Sequence, residues 1–483
     1  MFFGGKNMKN RKLVVLISVL LLSGLFVGCT QLSFQKPVDD EVNKSEVKLY
    51  DEFTNIKLFQ GVPVMSVQNG RTDIKGDIGG ANQVILVSGS TNDEYWNYLN
   101  VLQENGFEKY IDNGQEGLYG DVLSATMTKE DLVLDIIHMK KTETTYIVAE
   151  DDLALSERLF YKDEYIKSNV EGAQTTLHML ELYDYGNSFV IQLKNGHFII
   201  TDGGREKDLP YLLDYMESLV PDGEKPVVEG WFITHPHGDH ASVFKGFNTN
   251  WMYAERLYVE GIYMDLYNSD IATRMDVTSV QLAVSTAART LQTTTGGHPE
   301  IYRPQAGQTY YFSDITIDVM STMIQCPEES WYRWKANVNE FSAWLMFNIE
   351  GQKYLNLGDA DFGSMRAVMR TYDSEDLEMD VMAVSHHGIN VHDEFSDFIS
   401  VKTLLYPNFG IYGSFEEGQS WGGSWQASVT RNEYLQQNVL ESYSYIDGTI
   451  VMTFPYKVGT AKNLGHMRDD RVPITDETRI KYY

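Results

Sequence analysis

Cysteine is almost absent from this 483-residue chain, where only Cys29 and Cys326 occur. Two are too few for a disulfide framework or a thiolate metal cluster, so any metal site must use His, Asp and Glu. Positive charge is scarce as well. The 39 Lys and Arg stand against 68 Asp and Glu, a formal net charge of −29. A field of that sign repels polyanions at long range, which disfavours long nucleic acid as a partner. Apolar runs long enough to span a bilayer are also missing: the longest, Leu13 to Val27, is about 15 residues against the roughly 20 required. That argues against a multi-pass membrane protein. What is present is ordinary for a globular chain, with 43% hydrophobic, 12% aromatic and 22% charged residues. The length leaves room for two or three domains.

Residues 1–28 place Lys6, Lys9, Arg11 and Lys12 before that apolar run and end in small residues ahead of Cys29, the order of a secretory signal. Met8 is an alternative start. Leu25-Phe26-Val27-Gly28-Cys29 resembles a bacterial lipobox, with Phe26 in place of the commoner Leu. The resemblance implies cleavage before Cys29, lipidation of Cys29 and an extracytoplasmic protein anchored by lipid to the bacterial membrane. Cleavage removes four basic residues and no acidic one, leaving 35 basic against 68 acidic side chains, or −33. Residues 29–50 are polar and read as a flexible stalk.

From 51 to 155 the pattern is that of a small α+β domain of unknown role. Val84 to Val87 reads as a buried strand, and Asp93 to Asn105 puts Tyr95, Tyr98, Leu99 and Leu102 on one helical face, ended by Gly106. Further strands are expected at Leu118 to Met127, Leu132 to Met139 and Tyr146 to Ala149, with His138 a structural residue. A second domain is read over 175–460. Its first strands are Leu177 to Tyr183, Ser188 to Leu193 and His197 to Thr201, followed by a helix from Asp208 to Val220 with Leu209, Leu212, Leu213 and Met216 inward. Residues 461–483 read as a polar, peripheral tail.

The strand Trp231 to Ile233 runs into Thr234-His235-Pro236-His237-Gly238-Asp239-His240, the one place where three histidines fall within six residues. On an extended backbone His235 and His237 point the same way and can share one ion. Gly238 permits a sharp turn that lets Asp239 and His240 face a second. Imidazole with carboxylate suits zinc first, with manganese or iron as alternatives. Two later apolar strands also end in ionisable groups, Tyr354 to Asp359 and Val381 to His387.

These residues resemble the metallo-β-lactamase superfamily over about 175–455. The resemblance implies an αβ/βα sandwich, preceded here by the small α+β domain. It implies metal ligation by His235, His237, Asp239, His240, Asp359 and His386, with Asp359 bridging two divalent ions and Asp202 orienting the motif loop by hydrogen bonds. Asn339 to Ser342, Gly358-Asp359 and His386-His387-Gly388 are similar to the hydrolase domain of DNA-uptake competence proteins and to surface phosphorylcholine esterases. The histidine that the superfamily usually adds to the first ion is missing from the strand Ile315 to Met323. His298 is the alternative, set against its reading as a surface loop residue.

The expected activity is a metal-dependent hydrolase, favoured as a cell-surface phosphodiesterase in which two cations lower the pKa of a bridging water. Asp239 and His387 are the candidate catalytic residues, His387 as a proton donor to the leaving group, a holder of an oxygen, or a structural hydrogen-bonding residue. The charge favours a small, zwitterionic or wall-polymer phosphodiester. Trp331, Trp334, Trp421 and Trp425 lie in loop-like stretches and either hold a quaternary ammonium or pack at the rim. The alternatives are a surface lipoprotein with a mainly binding role and a lactonase, thioesterase or β-lactam hydrolase on the same fold.

Overall fold

The computed structural model describes residues 62–75, 83–162, 172–183, 186–266, 272–273, 276–325, 338–388, 391–407, 435, 438–445 and 448–468. The signal, the stalk with Cys29, Cys326 and the four tryptophans above lie outside the described residues.

The first sheet is antiparallel throughout and built from β1 (Arg71–Lys75), β2 (Gln83–Ser88), β3 (Glu108–Asp112), β4 (Val122–Lys129), β5 (Leu132–Met139) and β6 (Thr144–Asp151), in the order β1-β2-β6-β5-β4-β3. Its apolar face is covered by α1 (Asn92–Glu104), which buries Tyr95, Tyr98, Leu99 and Leu102 as the 3.6-residue spacing requires. Thr91 starts the helix with a reciprocal bond pair to Glu94. The strand expected from Leu118 begins only at Val122, because Gly117, Tyr119 and Gly120 all take positive φ and make a turn. His138 is buried between Thr145 Oγ1 and Asn92 Oδ1, each 2.9 Å away, as a structural residue.

The second sheet holds β7 (Thr176–Met179), β8 (Ser188–Gln192), β9 (Phe198–Asp202), β10 (Val227–Phe232), β11 (Tyr258–Val259), β12 (Gly261–Tyr263) and β13 (Glu300–Tyr302). The third runs β14 (Thr309–Phe312), β15 (Ile315–Ser321), β16 (Trp344–Ile349), β17 (Gln352–Asn356), β18 (Glu378–Ala383), β19 (Ser400–Tyr406) and β20 (Glu441–Ser444), after which β21 (Ile450–Thr453) and β22 (Lys462–Asn463) return to the second. The two sheets share one core. Phe189 meets Tyr354 at 5.7 Å between ring centroids, and Phe232 meets Phe312 at 5.9 Å. Along β16 to β18 the period of two sends Leu345, Phe347, Tyr354 and Val381 into this core, whereas the equally buried Met346, Leu355 and Met382 are not part of it.

Helices cover the outer faces. The outer layer includes α2 (Leu209–Glu217), α3 (Gly238–Ala241), α4 (Val243–Thr249), α5 (Thr278–Ala288), α6 (Phe362–Thr371) and α7 (Asp393–Phe398). Helix α2 buries Leu209, Leu212, Leu213 and Met216, which are contiguous with that hydrophobic cluster. This is the αβ/βα sandwich. The stretch after 460 is tied in as far as Arg468: that guanidinium is buried against Asp208, and Glu181 accepts from His466 Nδ1 at 3.0 Å and Met467 N at 2.8 Å.

The buried His178 shows how the fold limits acid tolerance. Its ring is bonded to Thr176 Oγ1 and Tyr215 Oη, both at 2.7 Å, and burial pushes its pKa down to about 4. Between that value and the unfolded value of about 6.5, the unfolded chain takes up a proton that the fold refuses. Stability therefore falls on acidification through this window, by at most about 3 kcal/mol. Urea unfolding at pH 7 and pH 5 should show a shallower pH slope in His178→Asn than in wild type. Parallel slopes would contradict this.

Candidate metal centre

Parallel strands β9 and β10 in one sheet, and β17 and β18 in the other, deliver their C-terminal ends to one place. Residues leaving such edges converge without burying charge in the core. Asp202 ends β9 with φ of +58° and is fully buried. Its Oδ1 accepts from Thr234 N at 2.8 Å, and its Oδ2 accepts from Asn187 Nδ2 and His240 Nδ1, both at 2.8 Å. The loop is thus oriented by this carboxylate, and His240 keeps Nε2 for the centre.

His235 is fixed in the same manner. Its Nδ1 lies 3.2 Å from both Thr234 Oγ1 and Ser342 Oγ, while its Nε2 faces His237 Nδ1 at 3.1 Å. Ser342 Oγ also accepts from Asp359 N at 3.1 Å, so one hydroxyl sets both a histidine and the central acid. Ser342 was legible only as part of a pattern, not as this link. Gly358 carries φ of +53°, and a Cβ there would sit 2.7 Å from Thr234. Only glycine lets the strand end approach the motif loop so closely.

Two groups of donors result, each with its ligand atoms within 4.8 Å of one another: Asp239, His240, Asp359 and His387, and His235, His237 and Asp359. Asp359 belongs to both. Its Oδ1 faces His240 Nε2 at 3.0 Å and His387 Nε2 at 3.6 Å, and its Oδ2 faces His235 Nε2 at 3.8 Å and His386 Nε2 at 3.7 Å. Asp239 Oδ2 lies 3.2 Å from His387 Nε2.

The geometry exchanges the two adjacent histidines relative to the sequence expectation. His387 is buried, donates from Nδ1 to Pro407 O at 2.9 Å and turns Nε2 to the acids, whereas His386 has a 20% exposed side chain and lies 3.3 Å from Asn339 Nδ2. A continuing strand would turn the two side chains to opposite faces. In the structure β18 ends at Ala383, and both histidines take positive φ, 48° and 54°, so the alternation of strand side chains no longer applies. His387→Ala is accordingly expected to lose an ion that His386→Ala keeps, as read by metal analysis of the two variants. The opposite pattern would restore the original assignment. His298 is exposed and bonds Leu291 O at 2.7 Å, outside both groups.

The electrostatics fit cations. Burial alone would lower the pKa of His240 and of His387, but Asp359 with Asp202 raises the first and Asp359 with Asp239 raises the second. Burial dominates at His235, His237 and His386 and keeps them below the usual histidine range. Asp359 stays well below the carboxylate range despite burial, because His240, His387 and His386 surround it. Four imidazoles, three of them with the far nitrogen already fixed, and two carboxylates make a hard-to-intermediate N/O donor set, suited to divalent zinc, manganese or iron.

No family model and no curated protein sequence matches the chain. Solved structures similar to it include the metallo-β-lactamase fold protein YhfI from Bacillus subtilis, at 11% identity and a TM-score of 0.35, covering 57% of this chain and 98% of that one. Zn(2+)-bound PqqB from Methylobacterium extorquens is similar at 8% identity and a TM-score of 0.31, covering 55% and 86%. A possible metal-dependent hydrolase from Veillonella parvula DSM 2008 is similar at 11% identity and a TM-score of 0.30, covering 55% and 95%.

Proposed function

We propose that the chain is a metal-dependent hydrolase of phosphodiesters, held at the bacterial cell surface by a lipid on Cys29. The observation that carries this reading is the sharing of Asp359 by two buried donor groups, a cost in converging ionisable groups that structure alone does not require. Two divalent cations, when bound there, supply a nucleophile at neutral pH and positive charge for the phosphoryl oxygens.

The chain's own residues do the rest. Asp359 sets the spacing of the two groups through its separate oxygens. Asp202, Thr234, Ser342 and the carbonyl of Pro407 hold three imidazoles by the nitrogen that does not face the centre, so little reorganisation is needed when an ion arrives. Asp239 holds its group from the first turn of α3. His386 stands partly exposed beside Asp359, where its Nε2–H can donate a hydrogen bond to the leaving oxygen while Nδ1 accepts from Asn339 Nδ2 at 3.4 Å.

A net charge of −33 after signal removal disfavours long DNA and suits a short, zwitterionic or wall-polymer phosphodiester. A carboxylate at 359, where many β-lactam hydrolases of this superfamily carry cysteine, supports the same choice. The test is turnover of chromogenic phosphodiester, phosphomonoester, lactone, thioester and β-lactam substrates by the metal-loaded protein. Hydrolysis of the phosphodiester is expected; hydrolysis of a β-lactam without it would overturn the reading.

A further inference from the structure

Two cavities lie away from the metal centre, and none of its residues lines either. One, of about 410 Å³, lies between Asn113 and Ser124 on one side and Gln308 and Thr309 on the other. The second, of about 470 Å³, extends from Tyr161 past Ser313 to Asn348. The first lies in the seam between the first sheet and the sandwich, the second beside it on the sandwich, and Tyr311 lines both. Each falls in the range of about 300–1,000 Å³ for small-molecule sites, which favour such interfaces.

The lining charges are already paired. Lys162 pairs with Glu157 at 2.6 Å, Lys194 with Glu350 and Asp112 with Lys109, while Asp314 accepts from Lys194 N at 3.0 Å and from the Thr175 hydroxyl. An ionic ligand would have to break one of these pairs. Neutral polar groups are better placed. Ser313 Oγ is buried in a residue 4% exposed and has no hydrogen-bond partner. Gln308 commits Oε1 to Gln305 N and Tyr310 Oη, both at 2.9 Å, which leaves its NH₂ as a donor. Tyr161 is 59% exposed and stands edge-on to Tyr311 with ring centroids 5.7 Å apart.

Aromatic faces beside neutral donors and acceptors match the chemistry of a sugar, whose C–H face packs on a ring while its hydroxyls bond amides and hydroxyls. Two neighbouring cavities that share a lining ring suit linked sugars better than a single one. We infer that these cavities bind a neutral oligosaccharide, with Tyr311 between them and Tyr161 at the rim, independently of the metal centre.

Calorimetric titration of the full chain with short oligomers of N-acetylglucosamine, glucose and mannose tests this directly. Saturable binding of at least one is expected, weakened about tenfold in Tyr311→Ala, weakened also in Tyr161→Ala, and unchanged in Asp359→Asn. Tyr161 is a surface residue, so its variant reports binding even if Tyr311→Ala folds poorly. Absence of saturable binding by all three sugars, binding unaltered in Tyr161→Ala, or loss in Asp359→Asn would overturn the inference. The readout is independent of turnover, so it stands or falls separately from the hydrolase reading.

Discussion

Asp359→Ala is expected to release both ions and to lower phosphodiester turnover by at least about 10³-fold, equivalent to about 4 kcal/mol of transition-state stabilisation. His298→Ala is expected to change neither. The contrast follows from placement. Asp359 is the member common to the two donor groups and lies within 4 Å of His235, His240, His386 and His387, whereas His298 bonds a loop carbonyl outside them. Removing the acid leaves Asp239 as the one carboxylate of its own group and leaves His235 and His237 with none. Metal analysis beside single-turnover assays separates loss of ions from loss of chemistry. Equal losses in the two variants would make His298 a ligand.

The second large effect is structural. Arg303, 7% exposed, bridges Glu150 at the end of β6 and, at 2.7 Å, Asp265 beyond β12. It therefore joins the first sheet to the sandwich through a buried charge triad. Burial pushes Asp265 up to about 6 even with the guanidinium beside it. Arg303→Met would strand two buried carboxylates, a change that typically costs about 3–5 kcal/mol. Urea unfolding should show a loss of that size at pH 7, with part recovered at pH 5 as the stranded acids take up protons. A loss under about 1 kcal/mol would mean that water reaches the triad and screens it.

Strands that end in ionisable residues were legible because burial demands apolar runs and function demands that polar groups sit where those runs stop. That logic located β9 with Asp202, β10 with His235, β17 with Asp359 and β18 with its histidines. It failed where the backbone departs from its regular period. The paired positive φ values of His386 and His387 belong to a turn held from distant strand ends, by His386 N donating to Gly358 O at 3.1 Å and His387 Nδ1 to Pro407 O at 2.9 Å, bonds that the local sequence does not announce. Polar strands such as β3, with the sequence Glu-Lys-Tyr-Ile-Asp, carry too little alternation to be read. Long-range partners were equally hidden. Glu181 meets His466, and Asp208 meets Arg468, across more than 250 residues, so a polar tail looks peripheral until the sandwich closes around it.

One carboxylate shared by two donor groups of unequal size should hold two ions unequally. A chelator titration of the metal-loaded protein, with metal content and turnover followed together, decides whether it does. The group of Asp239, His240, Asp359 and His387 offers four protein ligands, against three from His235, His237 and Asp359. Fewer ligands leave more positions to water and weaker retention. Two ions per chain are expected at the start, then stepwise loss through a stage with one ion and little activity, with the three-ligand ion departing first. Two ions leaving together, or full activity with a single ion, would contradict it.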